Sequence, residues 1–323
     1  MLYTTLGLLA YAERPWRRDP AEIMPDGDIY SAAPEARAET VQSAFEAGVR
    51  LFHAAHEREA ASLGTSLRTL ELRSQIFLST TDGDALDRCP DTEAGGAEAV
   101  TRAIARKCEL LGVETLDLFL LYDFRPETHT SARITGALHA LDAAREAGTV
   151  RWIGATCYGA YDALADVLEA GLPLDAVFVR FNFWDQGAAV RLLPLCRARG
   201  ITALATQTFS WVGGVPFMRF PNTWRYRNLT KNFYGFTAAQ AHLYWVSQQP
   251  NVDGVVVSMQ TLEQITENIS ALSIEKVPAG LESLFESFSE AITRTREGWR
   301  GLLQDEQWEI RTAAEAYLPG KRR

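Results

Sequence analysis

The sequence predicts a (β/α)8 barrel, the TIM-barrel fold, and three observations carry that expectation. Short apolar runs alternate with helix-periodic segments eight times along the chain. The apolar runs are nearly continuous rather than alternating, as parallel strands buried on both faces require. Glycine closes most of the helical segments, where a left-handed residue caps a helix. A doubly wound sheet is the alternative, but eight units exceed what it needs, and no GxGxxG follows the first strand.

The units follow in order. LGLLAYA (6–12) is the first strand and ARAETVQSAFEAG (36–48) the first helix, ending at Gly48. VRLFHA (49–54) pairs with helix REAASLGTSLRTL (58–70), and IFLSTT (76–81) with GAEAVTRAIARKCELLG (96–112). LDLFLLY (116–122) precedes ARITGALHALDAAREAG (132–148), and VRWIGATC (150–157) precedes YDALADVLEAG (161–171). AVFVRFNF (176–183) precedes AAVRLLPLCRARG (188–200), and ITALAT (201–206) is closed by TAAQAHLYWVSQQ (237–249). VDGVVVS (252–258) and TLEQITENISAL (261–272) complete the eighth unit.

Two segments fall outside this rhythm. Residues 207–236 form a long loop after the seventh strand, rich in aromatics, arginine and lysine. A barrel places that loop at the C-terminal face, where active sites lie. Residues 279–323 read as a C-terminal helical extension, packed on the barrel or on a partner, beyond a barrel of residues 1–278. A homodimer through those helices is the assembly this extension suggests.

Composition removes several function classes. The 32 basic and 41 acidic residues give a net charge of −9, which argues against binding nucleic acid through charge. Cys89, Cys108, Cys157 and Cys196 form no CxxC pair, so a reduced, cytoplasmic setting is expected. The basic residues of the N-terminus follow its brief apolar run, the wrong order for a signal peptide. No apolar stretch is long enough for a membrane span. A small-molecule substrate is the expected partner.

Six segments, in order, carry a family resemblance: AFEAGVRLFHAA, ASLGTSLR, CELLGVETLDLFLLY, LDAAREAGTVRWIGAT, RARGITALA and DGVVVSMQTLEQITEN. Over roughly residues 1–275 the chain resembles the aldo-keto reductase superfamily. That resemblance implies a barrel of aldo-keto reductase type and hydride transfer from NADPH or NADH. It also implies a tetrad: a tyrosine that donates the proton, a lysine and an aspartate that tune it, and a histidine that orients the carbonyl. All four positions differ here. His53 stands for the aspartate, His56 falls near the tyrosine, Thr81 replaces the lysine and Tyr122 the histidine. The pocket for the cofactor differs as well. Thr156 and Cys157 replace a Ser-Asn pair, Arg180 a glutamine, Thr206 a stacking aromatic, Ser258 a glycine and Gln260 an arginine. Glu267 and Asn268, the pair on the adenine side, remain at what reads as the start of the eighth helix.

His53, His56 and Tyr122 are therefore the candidate catalytic residues, as an acid–base set at the barrel mouth. The alternative is that the imidazoles are neutral, hydrogen-bonded wall residues. HAAHE also invites a metal, but HxxH at a strand end is not an established ligand spacing, and no metal is expected. Arg180 is a candidate anchor for an anionic substrate, or the partner of Asp82, Asp123 or Asp185. Thr81, Cys157, Phe209, Trp211 and Trp224 complete the candidate substrate contacts.

Three functions stay open at this stage. The favoured one is a repurposed enzyme that performs acid–base chemistry without net hydride transfer, such as a dehydration, isomerisation, cyclisation or lyase step, on a small anionic or aromatic metabolite of specialised biosynthesis. It expects no cofactor. The alternatives are an NADPH- or NADH-dependent carbonyl oxidoreductase with an altered proton donor, holding its cofactor through Glu267 and Asn268, and a non-catalytic binding or regulatory barrel.

Overall fold

A computed structural model describes residues 6–9, 34–81, 83, 85–125, 129–182, 185–208, 211–212, 215–216, 235–259 and 261–274. The apolar runs form eight strands: β1 (Leu6–Leu9), β2 (Leu51–Ala54), β3 (Phe77–Thr81), β4 (Leu116–Leu121), β5 (Val150–Cys157), β6 (Ala176–Arg180), β7 (Thr202–Thr206) and β8 (Gly254–Ser258). Each is followed by its helix: α1 (Pro34–Glu46), α2 (Glu57–Leu70), α3 (Glu93–Leu111), α4 (Ser131–Glu146), α5 (Tyr161–Glu169), α6 (Leu192–Arg199), α7 (Ala238–Ser247) and α8 (Leu262–Ala271). The strands pair in parallel in chain order, and β8 returns to β1, so the barrel closes.

Strand periodicity divides the side chains into two cores. Leu51, Leu118, Leu120, Ala176, Phe178, Leu204 and Val256 fill the barrel interior. The residues between them, among them Phe52, Phe119, Ile153, Val177 and Val255, pack against the helices. Residues two positions beyond the inner layer, toward the strand C-termini, therefore line the mouth. At the opposite end Phe77 and Trp152 stack with centroids 5.4 Å apart.

Local chemistry fixes the helices. Thr92, Thr130, Thr237 and Thr261 accept from the backbone N–H three residues on, capping α3, α4, α7 and α8. At Gly96 and Gly136 a β-carbon would collide with the facing backbone, at Arg133 and Glu93 respectively, so α3 and α4 pack backbone to backbone. The buried Asp117 of β4 takes Arg73 at 2.9 Å, Arg151 at 2.6 Å and the Leu78 N–H at 2.8 Å. It ties β3, β4 and β5 together below the mouth.

The sixth strand stops short of the expected residue 183. Asn182 and Asp185 exchange backbone hydrogen bonds at 3.2 and 3.1 Å, which turns the chain after Phe181. In the expected loop 207–236, Trp211–Val212 pairs antiparallel with Val215–Pro216. The rest of residues 209–234 and the expected helices of 279–323 lie outside the described residues. Among the described residues, no helix is long and apolar enough to cross a membrane.

Candidate active site

His53 follows Leu51 by two residues on β2 and so faces the barrel interior. It is 4% exposed, its ring sits 5.2 Å from that of Phe178, and its Nδ1 meets Ser79 Oγ at 2.9 Å. Burial, reinforced by the charges of Lys107 and His56, pushes its pKa down to about 3. The expectation of an imidazole titrating near neutrality is thus corrected for His53. Its ring is held neutral at physiological pH and hydrogen-bonds to Ser79. His56 caps the N-terminus of α2 and is half-buried.

Tyr122 directly follows β4 and is half-buried at the mouth, edge-on to Tyr158 with centroids 5.7 Å apart. The next residue, Asp123, adopts a left-handed φ of 42° and donates its N–H to Thr156 Oγ1 at 2.6 Å. The adjacent Phe124 N–H reaches the Thr156 carbonyl at 2.8 Å. Thr156, on the inward row of β5, thereby fixes the turn that carries Tyr122.

Other expected ligands are committed elsewhere. Cys157 is one residue out of phase with Thr156, so strand alternation sends it to the outer core, where it is fully buried. Burial raises its pKa to about 11, and the expected substrate contact is corrected to a packing role. Thr81 is also fully buried. Its hydroxyl donates to the Ala55 carbonyl and accepts from the Gly83 N–H, both at 3.0 Å, so it braces a loop rather than meeting a substrate. Arg180 reaches the mouth, but its Nε is paired with Asp185 at 2.8 Å. This is the ion pair with Asp185 expected as the alternative to an anion anchor. Phe209 and Trp224 lie outside the described residues, as does the side chain of Trp211.

The far side of the mouth holds unmatched polar groups. Thr206 Oγ1, Gln207 Oε1 and Thr208 Oγ1 are buried without a hydrogen-bond partner among the described residues. Gln207 takes a left-handed φ of 51°, and its carbonyl accepts from Asn182 Nδ2 at 3.0 Å. Buried polar atoms in this state call for a ligand or water. Glu267 and Asn268 sit in the second half of α8, not at its start: Asn268 is buried and Glu267 half-buried. Among the described residues no group of three histidine, cysteine or acidic side chains is arranged to hold a metal.

Sequence reasoning missed Ser79, Glu59 and Lys107. Glu59 had a signal, because it lies three residues after the helix-capping His56, as a capping-box acid does. Lys107 had one too. Val100, Ile104, Lys107 and Leu111 share one helix face, so a lysine occupies an apolar position.

An inward ring of hydrogen-bonding groups at the C-terminal mouth of a closed parallel barrel defines the class, an α/β-barrel enzyme site. The aldo/keto reductase family model matches residues 26–213, and the chain belongs to that family. A D-threo-aldose 1-dehydrogenase of Pseudomonas sp is 25% identical over 296 residues, 79% of this chain and 88% of that protein. A probable aldo-keto reductase 1 of Glycine max is 24% identical, covering 76% of this chain and 78% of that one. The NADH-specific methylglyoxal reductase of Escherichia coli is 25% identical over 61% of this chain and 66% of its own length. The solved aldose reductase of Giardia lamblia shares the fold, with a TM-score of 0.65 at 17% identity over 89% of this chain and 92% of that one.

These relatives overturn the expectation of no cofactor. One is named for its use of NADH and another as a dehydrogenase, which points to a nicotinamide cofactor. All three names are those of reductases or a dehydrogenase, so they back the oxidoreductase alternative over the lyase or isomerase reading.

Proposed function

We propose that the protein is a nicotinamide-dependent carbonyl oxidoreductase acting on small aldehydes or ketones with a proton donor other than the family's tyrosine. The carrying observation is the mouth itself. His53, neutral and fixed by Ser79, faces inward from β2, and Tyr122 stands at the end of β4. The Thr206, Gln207 and Thr208 oxygens at the end of β7 and just beyond it, without a hydrogen-bond partner among the described residues, fit a polar ligand and are the groups that would hold part of a cofactor. The relatives named for aldose and methylglyoxal support a small carbonyl substrate.

When bound, the nicotinamide supplies the reducing equivalents. The protein's part is to orient the carbonyl and manage one proton. The neutral His53 ring orients the carbonyl oxygen by hydrogen bonding, without a fixed positive charge. The Tyr122 phenol, nearer solvent, gives its proton to the oxygen as charge develops and regains one from water. The interior packing of Phe178, Leu120 and Leu204 below them excludes water.

Titration with NADH and NADPH, followed by tryptophan fluorescence and calorimetry, tests cofactor use. Micromolar binding, with loss of the reduced cofactor's absorbance on adding an aldehyde panel, is expected. No binding at millimolar cofactor overturns the reading. Tyr122→Phe should lower kcat about 100-fold, at the lower end of a general acid's contribution, with little change in cofactor affinity. Undiminished turnover in that variant removes Tyr122 as the donor.

A further inference from the structure

Three consecutive residues after the centre of β2 have their backbone held by side chains from other positions. The Ala54 carbonyl accepts from Thr80 Oγ1 at 2.6 Å. The Ala55 carbonyl accepts from Thr81 Oγ1 at 3.0 Å and from Lys107 Nζ at 2.7 Å. The His56 N–H donates to Glu59 Oε2 at 3.0 Å. Strand β3, helix α3 and helix α2 thus converge on the segment that carries both histidines.

The two charged members are costly to place there. Lys107 is 3% exposed and Glu59 has no exposed surface. Burying an ammonium group or a carboxylate is costly even where it is hydrogen-bonded, as Lys107 is to a carbonyl and Glu59 to an amide. Each charge acts on the other across the β2–α2 loop. A purely apolar pair would fill this space between α2 and α3 at lower cost. What the charged pair adds is a fixed backbone geometry at Ala55 and His56 and a positive field beside His53.

We propose that Lys107 and Glu59 are positioning residues of the site, a buried brace that sets the placement of His53 and His56 from the helix layer. The cation that the resembling family carries on the third strand is Thr81 here, and Thr81 and Lys107 share the Ala55 carbonyl. The brace rests on the reading that these histidines line the site.

The brace is sensitive to protons. Burial raises the Glu59 carboxyl to about 7. The backbone N–H groups of His56 and Ala55 and the charges of Lys107 on α3 and Arg37 on α1 oppose that rise. The Lys107–Glu59 attraction is therefore complete above neutrality and weakens below it.

The test uses the full chain with Glu59→Gln, Lys107→Arg and the double variant Glu59→Gln/Lys107→Met. Long-range proton–nitrogen spectra of histidine-labelled protein report the imidazoles whether or not the protein reduces a carbonyl. The double variant should displace the His53 and His56 signals and lower kcat about 10- to 100-fold, with cofactor affinity held within about twofold. Lys107→Arg should recover part of that loss. Glu59→Gln keeps the size and an acceptor oxygen, so it remains usable if the double variant does not fold. It should abolish the limb near neutral pH in the wild-type kcat profile. Histidine signals that superimpose on the wild type in a folded double variant, or that keep the wild-type pH dependence near neutrality in Glu59→Gln, overturn the brace. Absence of turnover in the wild type would instead count against the oxidoreductase reading, and the spectra would still decide the brace.

Discussion

Replacing Glu59 by glutamine should change how stability depends on pH, in a direction the structure fixes. The Glu59 carboxyl ordinarily titrates at 4.5 and is raised to about 7 in the folded protein. Between those values the folded chain holds a proton that the unfolded chain has released, so stability falls as pH rises through the window. At about 1.4 kcal/mol per pH unit, the wild type gives up roughly 3 kcal/mol from pH 4.5 to just above 7. Glutamine mimics the protonated acid at every pH. His53 works in the opposite sense. Its depressed pKa contributes stability that is present above 6.5 and lost as pH falls toward about 3. That contribution is common to both proteins and cancels in the difference. Urea unfolding of both at pH 5 and pH 8 measures it. The stability of Glu59→Gln relative to wild type should rise by about 2–3 kcal/mol between the two. A difference that stays flat across this range would refute the claim that burial outweighs the hydrogen bonds and nearby cations at the Glu59 carboxylate.

Other perturbations follow from the same geometry. Asp117→Ala leaves the buried Leu78 N–H unpaired and removes the shared acceptor of the more exposed Arg73 and Arg151, and should cost about 1–3 kcal/mol in urea unfolding. Gly136→Ala forces a β-carbon against the Glu93 carbonyl and should cost about 1–3 kcal/mol, read as a lower melting temperature. Alkylation of the native protein followed by mass spectrometry should label the half-exposed Cys108 before Cys157, whose thiol is fully buried and shifted up to about 11. Equal labelling rates would place Cys157 at an accessible surface instead.

The barrel was legible because each level of the sequence agreed with it. Continuous apolar strands, helix-periodic segments between them and terminal glycines all pointed to the same eight units, and the closed parallel register follows. Side-chain commitments were less legible. Thr81 and Arg180 occupy mouth positions, yet their polar groups meet Ala55 and Asp185, partners set by loop conformation rather than by local pattern. Cys157 was misread because resemblance placed it beside a ligand, whereas strand alternation sends it outward. Lys107 lies far along the chain from His53 and was missed, and its intrusion into an apolar helix face is the local signal that could have found it. Pairings across about fifty residues leave no trace in local periodicity. The residues that the resemblance sets at the tetrad positions led the sequence to suggest non-redox chemistry, and the named relatives favour the oxidoreductase reading instead.

The alternation that separates Thr156 from Cys157 limits how this mouth can be remodelled. Inserting or deleting one residue inside β5 would exchange the two rows, turning hydroxyl-bearing positions into the helix-facing core and apolar ones into the cavity. Selectivity can therefore be retuned by substitution at every second strand position, or by changing loop length beyond the strand ends, but not by slipping a strand. A combinatorial library restricted to positions 53, 79, 122, 156 and 180 would vary the chamber while leaving the outer packing intact.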